Sequence, residues 1–211
     1  MKSRARSIDT GDRKRILRAL GSHKPDDFEA LRTAALVELA WGSALRVAEL
    51  CALQLGQVAE LGPNGAPKVR ALGQVTREQA KGGKAWSSAG QFVVTPRARR
   101  ALKRYLVERD KRGYVLALDA PLFVPARRRG PTLTPRTALK AWVRVQRRAS
   151  VRELYRFHDL RHDAVTRFAD ACNGNPFRVA QYGRFRVSTA FRYVHGSMQA
   201  IGALAEVASR G

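Results

Sequence analysis

The segment 156–168 (RFHDLRHDAVTRF) constrains the fold more than any other part of the chain. Written as a helix, it places apolar residues at i, i+4 and i+8, which form a face that anchors the helix in a core. These residues are Leu160, Ala164 and Phe168. His158 and Arg161 share another face, because residues three apart are neighbours on a helix. The segment therefore predicts a core helix that presents an imidazole and a guanidinium able to bind a phosphate and move a proton.

The charge of the chain points to a polyanionic partner. The 211 residues carry a formal net charge of +23, and 31 of the 40 basic residues are arginine. Arginine binds phosphate oxygens through a bidentate fork that lysine lacks, so nucleic acid is the expected partner. An anionic membrane is the less favoured alternative, because no amphipathic basic helix with exposed aromatics stands out. A GC-rich genome would also raise the arginine content without any such partner.

The cysteines and the apolar runs exclude several classes of protein. Cys51 and Cys172 are too few for a disulfide framework or a cysteine-rich metal site. No apolar run approaches 18 residues, and residues 1–20 contain no signal-peptide core. We expect a cytoplasmic, nucleoid-associated protein that contacts no membrane and uses no cofactor or metal. The 45% hydrophobic content is enough for a core.

Helical spacing dominates the chain, with one interruption. Helices are predicted to begin at Thr10 or Asp12 and at Asp26 or Asp27, and further helices cover 96–112, 134–149 and 177–182. The 134–149 helix should bury Leu139, Trp142, Val143 and Gln146. Residues 68–72 alternate as a strand does, residues 91–94 are a second strand candidate, and a glycine-rich hairpin tip lies between them. These patterns predict an α+β fold, mostly helical with a small antiparallel β-sheet or hairpin.

A second basic residue lies in an apolar setting. Arg46 follows Leu45 and precedes Val47, where a charge is costly without an anionic partner. Glu49, three residues on, can orient the guanidinium. An ordinary Arg46–Glu49 ion pair on a surface helix explains the same pattern.

Five candidate residues suit one chemistry. A tyrosine attacks a phosphodiester, two arginines neutralise the charge of the five-coordinate state, and a lysine or histidine exchanges protons with the attacking and leaving oxygens. No metal is needed, because the arginines supply the positive charge. The candidates are Arg46, Lys81, His158, Arg161 and Tyr193.

These residues resemble the tyrosine recombinase (phage integrase) family in type and order. The strings that carry the resemblance are ALRVAEL (44–50), AKGGK (80–84), HDLRH (158–162), and Ser188-Thr189 followed by YVH (193–195). The resemblance covers roughly residues 8–200. It implies a catalytic domain in which Tyr193 is the nucleophile and Lys81 the general acid, with Lys84 as the competing choice.

The chain departs from the family pattern at three places. Arg184 follows Gly183 where the family usually has His or Trp, so Arg184 is expected either to contact a phosphate or to be a solvated charge. The segment before Arg46 is short, which implies that the usual N-terminal core-binding domain is lacking. Asp163 replaces a small or hydroxylated residue, a change that we expect to be harmless.

The remaining residue expectations concern support and DNA contact. Glu49 and His162 are expected to orient the catalytic residues. Contacts with the DNA backbone are expected from Lys84, Arg127, Arg128, Arg129, Arg186 and Arg192.

The resemblance implies a site-specific DNA recombinase or integrase that acts through a 3′-phosphotyrosyl intermediate, without metal or ATP. Two alternatives are a non-catalytic DNA-binding protein on the same scaffold and a nicking-closing enzyme like a type IB topoisomerase. A single catalytic domain is expected over 1–211, with a flexible basic arm at 1–9 and a helical tail at 197–211. Double-stranded DNA is the expected partner, bound by a homo-oligomer, a tetramer on DNA.

Overall fold

The computed structural model describes residues 6–24, 26–79, 89–126 and 131–194. Within these ranges the structure is mostly helical, with two small antiparallel sheets, which confirms the predicted α+β class. The helices are α1 (Thr10–Gly21), α2 (Phe28–Ser43), α3 (Val47–Ala52), α4 (Pro96–Lys111), α5 (Pro135–Arg148), α6 (Phe157–Ala171), α7 (Pro176–Gly183) and α8 (Val187–Ala190). The strands are β1 (Ala59–Leu61), β2 (Pro67–Val69), β3 (Leu72–Val75) and β4 (Gly90–Val93).

Helix α2 lies at the centre of the core. It packs against α1, α4, α5 and α6, and it buries residues on every side, including the predicted stripe of Leu31, Ala35 and Leu39. The side chain of Asp27 caps α2 by accepting a hydrogen bond from the Ala30 N–H, as the sequence predicts. The burial of α2 determines where its C-terminal end lies, and that end borders the candidate site.

The strand predicted over 68–72 is in fact two strands in two different sheets. Strand β2 pairs with β1, and β3 pairs with β4, so the chain changes partner between Val69 and Leu72. The Arg70 N–H donates to the Val58 carbonyl, and the Ala71 carbonyl accepts from the Val94 N–H. Alternation predicts extended backbone correctly at both ends, but the change of partner depends on residues distant in the sequence.

The buried face of α5 also differs from the prediction. Trp142 and Gln146 are buried as expected, but Leu139 is 42% exposed and Val143 is only half-buried. The small residues Ala138 and Ala141 fill the contact instead. Trp142 and Gln146 determine which face of α5 is buried, because both side chains bond to the backbone of Tyr155.

Residues 6–9, which we expected to form part of a flexible arm, are packed on the domain. Ile8 is 3% exposed, and its N–H donates to Asp163 Oδ1 over 3.0 Å. Asp163 Oδ2 accepts a 2.6 Å hydrogen bond from Trp41 Nε1 and a 3.1 Å bond from Arg167 Nε. One buried carboxylate therefore joins the N-terminal segment, α2 and α6.

Replacing Asp163 with alanine is expected to lower the free energy of unfolding by about 2 kcal/mol, because the buried Ile8 and Trp41 donors lose their acceptor. Urea denaturation measures the change. Asp170→Ala, an exposed acid on the same helix, is the matched control and should have little effect. Equal losses in the two variants would contradict this role of Asp163.

Among the described residues, no helix is both long and apolar enough to cross a membrane. The same part of the chain contains no group of three or more His, Cys, Asp or Glu side chains that could hold a metal ion.

Candidate active site

The site forms around the C-terminal end of α2. Ala44, which follows the helix, has a left-handed backbone conformation with φ of 52°. The last carbonyls of a helix have no partner within it and carry partial negative charge. The carbonyls of residues 42–44 accept hydrogen bonds from three side chains. The donors are Arg161 on α6, Tyr182 on α7, and Arg184, the residue after α7.

Arg161 is held rigidly in the interior. The residue is 4% exposed; Nη1 donates to the Ala44 carbonyl, and Nη2 donates to the Gly183 carbonyl over 2.6 Å. Burial lowers the pKa of Arg161 to about 10, and repulsion from Arg46 and Arg184 adds to the shift. A group with this pKa remains protonated at neutral pH, so Arg161 is a fixed buried cation.

Glu49 is the carboxylate that connects the arginines. It is 1% exposed, and Oε1 accepts a 2.7 Å hydrogen bond from Arg46 Nη1. Oε2 accepts from the Arg46 N–H at 2.9 Å and from Arg184 Nη2 at 3.1 Å. The Arg46–Glu49 ion pair anticipated from the sequence therefore exists, but its acid is buried and is shared with a second arginine 135 residues away.

A cleft of about 410 Å³ opens beside these residues. Arg46, Arg161 and His158 line it together with Gln79 and apolar residues of α3 and α6. His158 stands exposed on the first turn of α6, next to the buried Phe157. Partial desolvation lowers the pKa of His158 below its ordinary value of 6.5, and repulsion by Arg161 lowers it further. The imidazole is therefore neutral at pH 7 and can accept a proton.

If the site cleaves DNA strands, as the family resemblance implies, the pH dependence of cleavage should reflect this shift. If His158 is the base, the rate stays constant from pH 8 to about pH 6.5 and falls only at lower pH, as the ring becomes protonated. His158→Gln should lower the rate and remove this acid limb, whereas His23→Gln, at a half-buried histidine that does not line the cleft, should keep it. Single-turnover cleavage between about pH 5 and 8 measures the profile. An unchanged acid limb in His158→Gln would contradict the assignment.

Tyr193 lies in the turn that follows α8, where its N–H donates to the Ala190 carbonyl over 2.8 Å. Its half-buried ring lies 5.2 Å from the His162 ring and stacks on Phe185 at 5.7 Å between centroids. The Arg161 guanidinium lies 5.8 Å from the centroid of the same Phe185 ring and interacts electrostatically with Tyr193. The structure thus brings Tyr193 beside the α6 residues predicted to accompany it.

The other predicted residues fall into two groups, those within the described part of the chain and those outside it. Arg186 and Arg192 are exposed on either side of α8. Lys81, Lys84, Arg127, Arg128 and Arg129 lie outside the described residues.

Arg184 departs from both expectations, because its guanidinium is neither a solvated charge nor exposed for phosphate contact. The residue is 9% exposed and donates to protein acceptors through both Nη atoms. Burial lowers the pKa of Arg184, and the neighbouring Glu49 opposes that shift.

Two residues of the site escaped the sequence analysis. Gln79 lines the cleft, and its amide bonds to the Gln57 side chain and the Ala52 carbonyl. The Tyr182 hydroxyl donates to the Gly42 carbonyl over 2.9 Å, and burial raises the pKa of this tyrosine to about 12. Neither residue belongs to a recognisable motif, so their positions in the sequence do not indicate that they lie at the site.

The sequence model described as the phage integrase family matches residues 7–200. No curated protein matches the chain with significance. Among solved structures, XerA recombinase superposes with a TM-score of 0.66 at 20% identity, covering 97% of this chain and 64% of that one. XerH site-specific recombinase, bound to palindromic difH substrate in a post-cleavage complex, gives 0.67 at 19% identity, with coverages of 97% and 54%.

The Tn1549 transposon integrase, in complex with a circular intermediate DNA, gives a TM-score of 0.69 at 16% identity, covering 97% of this chain and 66% of that one. The chain thus spans between half and two thirds of the length of these proteins. At these identities the likeness concerns the fold.

Proposed function

Because the chain belongs to the phage integrase family, whose sequence model matches residues 7–200, we propose that it is a site-specific DNA recombinase. It cuts and rejoins DNA through a 3′-phosphotyrosyl intermediate. The described portion has the fold of the tyrosine recombinase catalytic domain, and we assign residues 1–211 to that one domain.

One observation carries this proposal: three arginines converge around a single carboxylate. Arg46, Arg161 and Arg184 contribute three positive charges, and Glu49 contributes one negative charge. The resulting charge of +2 lies beside a cleft open to solvent. A phosphodiester gains negative charge as it becomes five-coordinate, and preorganised donors in a site of low dielectric constant stabilise that state most.

The proposed reaction conserves the energy of the phosphodiester. The Tyr193 hydroxyl oxygen attacks phosphorus, the bond from phosphorus to the 5′ oxygen breaks, and His158 accepts the tyrosine proton. Lys81, two residues beyond the cleft residue Gln79 in sequence, protonates the leaving oxygen; Lys84 is the alternative acid. A 5′ hydroxyl then attacks the phosphotyrosine in the reverse reaction, so no ATP is required.

Double-stranded DNA is the proposed substrate. Similar structures described as DNA complexes, and the net charge of +23, support this assignment. Exposed Arg186 and Arg192 border the site and are proposed to contact the DNA backbone. Lys84, Arg127, Arg128 and Arg129 are proposed for the same role.

Recombination exchanges strands between two duplexes and requires four cleavages, so we propose a homotetramer on DNA. The 197–211 segment is a candidate for docking on a neighbouring protomer, although folding back on its own domain is an alternative. We place the protein with the nucleoid in the cytoplasm.

Trapping the covalent intermediate tests the function. The probe is a pool of nicked duplexes with randomised flanks, from which the short strand bearing the 5′ hydroxyl diffuses away after cleavage. We expect a protein–DNA adduct on a denaturing gel, formed in EDTA and without ATP. Absence of the adduct, with DNA binding intact, would favour the non-catalytic DNA-binding alternative. Relaxation of supercoiled plasmid at no specific site would favour the topoisomerase-like alternative.

A further inference from the structure

Arg184 occupies an unusual backbone position. It directly follows α7 in a left-handed conformation, with φ of 51° and ψ of 55°. This conformation costs a residue with a side chain roughly 1 kcal/mol. Backbone hydrogen bonds from the Arg184 N–H to carbonyls of α7 and the contacts of the side chain together offset that cost. The side-chain contacts show what Arg184 does.

Both Nη nitrogens of Arg184 contact the protein interior. Nη1 donates to the Ser43 carbonyl over 3.1 Å, and Nη2 contacts the Ala44 carbonyl at 3.4 Å and Glu49 Oε2 at 3.1 Å. The side chain is 4% exposed, whereas that of Arg46 is 33% exposed. Arg46 and Arg161 line the cleft; Arg184 lines a separate groove between β4 and α7.

We propose that Arg184 is a positioning residue that acts through Glu49 on Arg46 and does not bind the scissile phosphate. It clamps Glu49 Oε2 to the C-terminal end of α2. The other carboxylate oxygen, Oε1, is then directed at Arg46 Nη1, 2.7 Å away. This inference rests on the proposed function for its catalytic readout.

The reason for an arginine here is geometric. The planar guanidinium presents several donors in a fixed fork, so one side chain can serve a carboxylate and two carbonyls together. A lysine keeps the charge but presents a compact ammonium that cannot span all three acceptors. With a neutral residue at position 184, Glu49 loses the donor that ties it to the C-terminal end of α2, so the orientation of Arg46 is less restricted.

The decisive measurement separates DNA binding from cleavage. Affinity for a 30-base-pair duplex of arbitrary sequence is measured against salt, and single-turnover adduct formation is measured on the nicked pool. Arg184→Met is expected to slow adduct formation roughly 10- to 100-fold, the effect of a small misplacement of a catalytic group. Its salt slope should match that of the native chain, because no phosphate contact is lost. Arg46→Met is the matched control and should reduce the slope by about 0.9, as expected for one lost phosphate contact.

Arg184→Lys tests the geometry and provides a second variant should Arg184→Met fold poorly, which thermal melting reveals. It is expected to restore part of the cleavage rate. A reduced salt slope in Arg184→Met, equal to that of Arg46→Met, would overturn the proposal, as would an unchanged cleavage rate. If the native chain forms no adduct, the proposed function fails, yet a reduced slope in Arg184→Met would still identify a phosphate ligand.

Discussion

Replacing Tyr193 with phenylalanine is expected to abolish the covalent protein–DNA adduct, with a loss of rate on the order of a millionfold. The substitution removes only the hydroxyl oxygen that is proposed to form the bond to phosphorus. The ring should keep its contacts with His162 and Phe185, so stability and DNA affinity should be unchanged. Denaturing gels measure the adduct, and thermal melting measures the stability.

Tyr182→Phe is the matched control, because Tyr182 is the other tyrosine at the site. Its hydroxyl donates to the Gly42 carbonyl, and its pKa of about 12 makes it a poor nucleophile. This variant should lose some stability but still form the adduct. An undiminished adduct in Tyr193→Phe, or one lost only in Tyr182→Phe, would disprove the assignment of the nucleophile.

Replacing Arg161 with lysine is expected to lower the rate of adduct formation by about 10²- to 10³-fold, the usual effect of removing one preorganised donor from a developing anion. The charge is retained, but an ammonium cannot reproduce the fork that reaches the Ala44 and Gly183 carbonyls. Single-turnover kinetics on the nicked duplex pool measure this effect.

The control for Arg161→Lys is Arg18→Lys, on the exposed face of α1, which does not line the cleft. It should leave the rate unchanged. A native rate in Arg161→Lys would show that charge alone suffices and that the anchored guanidinium geometry is unimportant. Comparable losses in both variants would indicate a general sensitivity to surface charge.

The sequence predicts the long helices well, because their apolar spacing is local information. Helix α4 begins at the predicted residue and ends one residue before the predicted end, and α2 begins within two residues of its predicted start. The errors arise where residues distant in the sequence determine the pairing of a strand or the burial of a side chain. The break between β2 and β3 depends on pairing with β1 and β4, and the burial of Ile8 depends on Asp163, 155 residues away.

The candidate site likewise has features that the sequence determines and features that depend on the tertiary structure. The sequence alone determines the order of Arg46, His158, Arg161 and Tyr193 along the chain, and it determines the helical spacing that places His158 and Arg161 together. These are properties of residue type and of the helix repeat.

Only the tertiary structure decides how the charges are shared. It brings Arg184 to Glu49 across 135 residues and turns the guanidinium inward, although its sequence context suggests an exposed cation. The physical reason is that the C-terminal carbonyls of α2 and one buried carboxylate need donors. Which arginine supplies those donors depends on how α7 packs, and that packing leaves no local pattern in the sequence.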